Sequence, residues 1–383
     1  MNPLFASQPL SIFAHMTTLA DAQGAVNLGQ GFPDFGWPED VVERAADALR
    51  TGSNQYAPMR GLPQLREAIC AHYRHHQRLG LAPDQVTVTS GATEAIAATL
   101  MALIAPGDEV VLFQPLYDAY VPMVERAGGT ARFVSLRPPD WRITPEALAE
   151  AFTDRTRLVV FNNPHNPTAR MFDAEELRLL AEACVARDVR VLSDEVWEHL
   201  VFDGRRHSAL SSLPGMAERT VKIGSAGKIF SLTGWKTGWA IAPPELASAI
   251  AAAHQYLTFA TPPNLQSAVA YGLGKEDAYF DGMRSGFQDA RDYLVAALGE
   301  AGFAVLPAEG TYFLNIDLAA SGIEADDLAF AERAVAQAGV AVIPVSPFYA
   351  EEAVTTVVRL CFAKQRETLD RGIDALGKAR ALF

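Results

Sequence analysis

Seven short runs of β-branched and aliphatic residues recur between Val86 and Ala242, most of them set apart by enough chain for a helix. They read VTVT (Val86 to Thr89), EVVLF (Glu109 to Phe113), ARFVSL (Ala131 to Leu136), RLVVF (Arg157 to Phe161), VRVLS (Val189 to Ser193), TVKIG (Thr220 to Gly224) and WAIA (Trp239 to Ala242). Several intervening stretches, Asp173 to Arg187 for one, carry helical apolar spacing. Strand and helix in alternation imply a mainly parallel sheet covered on both faces, because parallel neighbours need crossover connections. The expected fold class is α/β, with these seven strands in one sheet.

Punctuation residues agree with that reading. Pro38 and Gly52 frame one helix, and Pro63 and Gly80 frame another. AIAATLMALIA (Ala95 to Ala105) is apolar but too short to cross a bilayer, so it reads as a buried helix. After about Glu276 the pattern changes to a long helix through Leu298, then strand-like segments near FLNIDL, VAVIP and VVRLCF. A second, smaller α+β unit is therefore expected, in keeping with two or three domains for 383 residues.

Composition limits the partners. A net charge of −13 argues against broad attraction to nucleic acid or to an anionic membrane, both of which call for clustered Lys and Arg. Cys70, Cys184 and Cys361 are odd in number, far apart and without metal spacing, which favours a reducing cytoplasm. MNPLFASQPLSIF lacks a basic region followed by a long apolar run, so no signal peptide is expected. His72, His75 and His76 read as a solvated helix face, and no metal is expected.

The chemistry-bearing residues fall where the strands end. SGATEA (from Ser90), NNPHNPT (from Asn162), Asp194 and Ser225 all follow predicted strands, the edge where open α/β sheets bind ligands. A small-residue turn opening a helix offers free N–H groups and a positive dipole end to an anion, and Ser225 and Lys236 add a hydroxyl and a cation. Lys228 follows small residues and precedes Ile229-Phe230, a setting in which burial favours the neutral, nucleophilic amine. A phosphate site beside such an amine points to the aldehyde of pyridoxal phosphate, and Asp194 is placed to keep the pyridine nitrogen protonated.

In combination, several motifs resemble those of the fold-type I pyridoxal-phosphate aminotransferases of class I and II. They are NLGQGFPDF (Asn27 to Phe35), NQYAPMRGLPQLREA (Asn54 to Ala68), SGATEAI, QPLYDAY (Gln114 to Tyr120), NNPHNPT, SDEVWEH, SAGKIFSLTGWKTGW and VVRLCFAK (Val357 to Lys364). Within that family the likeness is to the kynurenine, glutamine-phenylpyruvate and bacterial methionine aminotransferases, from about Ile12 onward.

The resemblance implies an N-terminal segment (1–40) that joins the small domain and covers the site, a large cofactor-binding domain (41–280) and a small α+β domain (281–383). It implies Lys228 as Schiff-base lysine and proton carrier, Asp194 on the pyridine nitrogen, Asn166 on the ring oxygen and Tyr117 on the ring face. Ala92, Thr93, Ser225 and Lys236 would hold the phosphate, with Tyr56 reaching it from the partner of a homodimer. Arg359 would clamp the substrate α-carboxylate, and Gly31 would let the N-terminal segment approach the substrate. Phe13, Trp37, Tyr117 and Phe348 are aromatic candidates for the side-chain pocket. They favour apolar, sulfur-containing or aromatic amino acids as donors, with a 2-oxo acid as acceptor.

Two positions depart from the family pattern. Trp197 stands where a tyrosine usually donates to the ring oxygen, so that contact is expected to change and the Schiff base to hold its proton to higher pH. Ala169 stands for a common glycine, so the loop must avoid a positive φ there or accept strain. Two other readings stay open at this level. One is a β-lyase acting on cysteine conjugates; the other is a ligand-sensing domain of a regulator.

Overall fold

A computed structural model describes Ala6 and residues 10–383; residues 1–5 and 7–9, on which part of the signal-peptide reading rests, lie outside the described residues. The first strand, β1 (Val26–Asn27), is followed by β2 (Val86–Ser90), β3 (Glu109–Gln114), β4 (Thr130–Ser135), β5 (Thr156–Asn162), β6 (Arg190–Asp194), β7 (Thr220–Ser225) and β8 (Thr237–Ile241). β2 to β8 form one sheet in the order β2-β8-β7-β6-β5-β3-β4, and each coincides with one of the seven expected runs, three of which overrun their strand by one residue, at Leu136, Val189 and Ala242. Its neighbours are parallel except β8, which runs antiparallel to both β2 and β7. β3 and β7 are buried along their whole length, as a sheet covered on both faces requires.

Helices occupy the framed segments, Glu39–Thr51, Pro63–Gln77, Gly91–Leu103 and Ala174–Ala186 among them. The last begins with a reciprocal cap: Asp173 accepts from the Glu175 and Glu176 amides, and the Glu176 carboxylate accepts from the Asp173 amide. The long helix Asp277–Glu300 leads into β9 (Ala304–Val305), β10 (Phe313–Asp317), β11 (Val340–Ala341), β12 (Ile343–Pro344) and β13 (Val357–Cys361). β9, β10, β12 and β13 make an antiparallel sheet in the order β12-β13-β10-β9.

The VAVIP run is divided rather than continuous. Val340 and Ala341 pair in parallel with β1, whereas Ile343 and Pro344 pair with β13, so the chain changes sheets at Val342. The Cys361 amide also donates to the Leu28 carbonyl at 2.7 Å. The N-terminal segment is thereby fixed to the C-terminal unit just before it reaches the site.

Two buried polar clusters lie behind the sheet. Lys222, 2% exposed within β7, donates to the carboxylates of Glu195 and Glu198, the latter at 2.7 Å. Tyr73 and His207 each lie 2.7 Å from one of those carboxylates, and Ser193 and Gln77 donate to them as well. The histidine stretch near Tyr73 corrects the solvated-face reading: His72 is only 3% exposed, with its Nε2 2.8 Å from His199 Nε2. Burial drives the His72 pKa down to about 3, and because Nδ1 of the neutral ring donates to the Leu273 carbonyl at 3.2 Å, its Nε2 accepts from His199. His75 is exposed and pairs with Asp277. No helix among the described residues is long and apolar enough to cross a membrane.

Candidate active site

The carboxyl ends of β2, β5, β6 and β7 open onto a cavity of about 410 Å³. Sheet register sets its floor: Asn162 is the lateral neighbour of Asp194, and Ser225 of Gly238. Gly238 is needed there, since a Cβ would lie 2.6 Å from Gly91 C and 2.7 Å from Ala92 N. The cavity is lined by Phe13, Gly31, Ala92, Thr93, Tyr117, Asn166, Asp194, Trp197, Ser225, Lys228, Lys236 and Arg359. Residues from 13 to 359 thus meet in one place.

One end of the cavity suits a phosphate. The helix Gly91–Leu103 starts at a glycine with φ +71°, leaving its first amides free at the positive end of the dipole. Lys236 Nζ lies 3.4 Å from Thr93 Oγ1, and a Cβ on Gly91 would come within 3.2 Å of that Nζ. Lys236 has no carboxylate partner among the described residues, so a cation, a hydroxyl and helix amides are gathered in an arrangement that suits an anion.

The other end holds the acid and the amine. Asp194 is 5% exposed; it accepts from Tyr120 Oη at 2.7 Å, and the backbone around it is tied by Asn162 Nδ2, which donates to its carbonyl at 2.8 Å. Burial pushes the Asp194 pKa up, against the lowering effects of the Tyr120 hydroxyl, the Val196 amide and Lys228. Lys228 Nζ lies 4.6 Å from the centre of the Trp197 ring and donates to Tyr312 Oη at 2.9 Å. Burial lowers the Lys228 pKa to about 8, so the neutral, nucleophilic amine is far easier to reach near neutral pH than for an ordinary lysine, although the protonated form still predominates there. A buried carboxylate, a depressed lysine and an anion cradle fit the pyridine nitrogen, aldehyde and phosphate of pyridoxal phosphate.

Arg359, on β13, is 1% exposed, with Phe313 3.8 Å from its guanidinium carbon and Phe13 5.1 Å away. Burial draws its pKa down to about 10, which leaves it charged. Nη1 donates to Asn166 Oδ1 at 2.7 Å, while Nε and Nη2 have no partner among the described residues. Two unused donors on a buried guanidinium match the two oxygens of a carboxylate. Because Asn166 Oδ1 is committed to Arg359, its Nδ2 is the atom left to donate to a cofactor oxygen.

Other expected residues fall elsewhere. Tyr56 is 86% exposed, packs edge-on against Phe259 and lies outside this cavity. Trp37 is 49% exposed and does not line it, while Phe348 reaches it only by packing on Phe13 and Arg359. His165 is a buried loop contact, 2.8 Å from Thr168 Oγ1. Ala169 takes the strained alternative, with φ +62°. Tyr120, Asn162 and Tyr312 were not singled out by sequence; Tyr120 and Tyr312 lie 74 and 84 positions from the residues they hold.

The sequence profile described as Aminotransferase class I and II matches residues 23–376. The chain is 44% identical over 378 residues to the probable N-succinyldiaminopimelate aminotransferase DapC of Mycobacterium tuberculosis, covering 96% of this chain and 95% of that one. It is 40% identical over 376 residues to the methionine aminotransferase of Escherichia coli, at 96% and 97% coverage. The solved structure of the Mycobacterium tuberculosis N-succinyldiaminopimelate aminotransferase superposes with a TM-score of 0.96 at 43% identity, covering 99% of this chain and 100% of that one.

Proposed function

Because this chain belongs to the class I and II aminotransferases, a family that uses pyridoxal phosphate, we propose that it moves the amino group of an apolar, sulfur-containing or aromatic L-amino acid to a 2-oxo acid. When bound, the cofactor supplies an aldehyde that captures an amine and a protonated ring that weakens the substrate's α-C–H bond. Lys228 holds the cofactor and then carries the α-proton on Nζ. Asp194, fixed by Tyr120, keeps a proton on the ring nitrogen. Arg359 and Asn166 set the orientation of the substrate at its carboxylate, and Phe13 and Tyr117 exclude water around the side chain.

The observation that carries this reading is the shared cavity of Lys228, Asp194 and a buried Arg359 with two unused donors. Preference for uncharged side chains rests on the cations available. Lys228, Lys236 and Arg359 are the lysines and arginines lining the cavity, and each already has a task. Among the described residues of one chain, no further lysine or arginine lines the cavity to meet a distal carboxylate. We also propose a homodimer in which the exposed Tyr56 completes the neighbouring phosphate site, and a reducing, cytoplasmic setting, in keeping with three free buried cysteines.

A half-reaction panel tests the function. Holoenzyme mixed singly with L-methionine, L-phenylalanine, L-kynurenine, L-glutamine, L-aspartate and a cysteine S-conjugate is followed by the visible spectrum, with pyruvate and thiol assayed for the conjugate. Conversion to the pyridoxamine form by the first three, with aspartate the slowest, is the expected result. Fastest conversion by aspartate, or release of pyruvate and thiol from cysteine conjugates without an oxo acid and without conversion, overturns it.

A further inference from the structure

Tyr312 lies one residue before β10, in the C-terminal unit, yet its phenol oxygen meets Lys228, which lines the cavity at the end of the large sheet. Its hydroxyl has one hydrogen and two lone pairs. The hydrogen goes to the Gly31 carbonyl on the N-terminal segment, and the oxygen accepts from Lys228 Nζ at 2.9 Å. The ring is wedged edge-on against Trp197, with centroids 4.4 Å apart at 87°, and is 1% exposed. Thr311, immediately before it, is held at φ +66°, a conformation a β-branched residue rarely adopts.

We propose that Tyr312 is a positioning residue for Lys228: with its proton committed to Gly31, it presents a fixed lone pair that orients the amine and favours its protonated form. The proposal rests on the reading of Lys228 as the cofactor lysine. Burial keeps Tyr312 a phenol far above neutral pH, so it accepts a hydrogen bond and exchanges no proton with Nζ. Trp197 cannot take this part, because an indole N–H donates and does not accept. The contact also makes the state of Lys228 depend on the seating of the segment that bears Gly31. Docking of the N-terminal segment fixes the phenol's hydrogen, and the phenol's remaining lone pair then faces the amine.

The test measures the amine itself. Full-length protein loaded with pyridoxamine phosphate, in which Lys228 is free, is pulse-acetylated across a pH series, and the Lys228 peptide is quantified by mass spectrometry. Tyr312→Phe keeps the ring against Trp197 and removes only the oxygen. It is expected to lower the labelling midpoint by about one pH unit, as loss of one hydrogen bond to a charged group predicts. It is also expected to cut kcat about tenfold with KM changed less than twofold. An unchanged midpoint in a folded variant overturns the proposal.

Should Tyr312→Phe fold poorly, the wild-type protein answers the same question. With 13Cζ-labelled tyrosine, the Tyr312 resonance is expected to shift in one step at the Lys228 midpoint without the phenol itself titrating; a flat trace overturns the proposal. Protection of Lys228 from acetylation in the pyridoxal phosphate-loaded protein is expected as well. Its absence would overturn the reading of Lys228 together with this proposal, whereas protection with an unmoved midpoint overturns the role of Tyr312 alone.

Discussion

Arg359 Nη1 donates to Asn166 Oδ1 at 2.7 Å, and this single contact orients a cavity-lining guanidinium whose Nε and Nη2 are buried and unpaired among the described residues. Asn166 is itself held through its amide by Asn162 Oδ1 at 2.7 Å, and Asn162 Nδ2 donates to the Asp194 carbonyl. The carboxylate clamp and the pyridine acid are therefore linked by a chain of hydrogen bonds through the β5 end. Arg359→Lys keeps the charge but loses the fork. Two charge-assisted bonds are worth about 3 kcal/mol, so kcat/KM for the amino acid should fall about 100-fold, mostly through KM. Steady-state kinetics check this.

Tyr120 holds Asp194 through a 2.7 Å bond to Oδ2, and its pKa is pushed far above the ordinary value by burial and by Asp194, so it remains a donor. Tyr120→Phe leaves a buried carboxylate short of one partner. A loss of about 1.5–3 kcal/mol predicts roughly 10- to 100-fold weaker pyridoxal phosphate binding, read by fluorescence titration of cofactor-free protein.

Lys222, on β7, pairs with both Glu195 and Glu198 in the buried cluster. Lys222→Met would leave two carboxylates facing each other without a cation between them. Removing one member of a buried ion pair costs about 3–5 kcal/mol, and chemical denaturation should show a loss of that size.

His254 is fully buried with Nδ1 2.7 Å from Glu94 Oε1 and Nε2 2.8 Å from the Met59 carbonyl. Both nitrogens meet acceptors, so the ring is an imidazolium. Burial alone would lower its pKa, but the Glu94 hydrogen bond and charge outweigh it and raise it above 6.5. Its stabilisation is fully present below that ordinary value and is lost as pH rises through the raised one. For Glu94, burial pushes upward, yet His254, the Ser90 amide and Thr258 bring it below 4.5, so its share is lost as pH falls through that lowered value. Thermal melts should therefore show the largest gap between wild type and His254→Gln between about pH 4.5 and 6.5, narrowing on either side.

How much of this could be read from the chain depended on distance along it. The seven runs were legible because a strand covered on both faces is a continuous apolar stretch, and the helix frames because Pro and Gly act within a turn. Lys228, Asp194 and Arg359 stood out as charges set in apolar or strand-end contexts. Tyr120, Asn162 and Tyr312 did not, since a tyrosine or asparagine near a strand carries no local mark of a partner scores of residues away. His72 was misread for the same reason: its helix periodicity is local, but the His199 face that buries it is not. VAVIP looked like one strand because nothing in five residues shows that two different sheets claim its halves.

The most direct measurement is reduction of the pyridoxal phosphate-saturated protein with borohydride, followed by peptide mass mapping. The account predicts a pyridoxyl group on Lys228 in nearly every chain. A pyridoxyl group on another lysine, or an unmodified Lys228 in saturated protein, would contradict it.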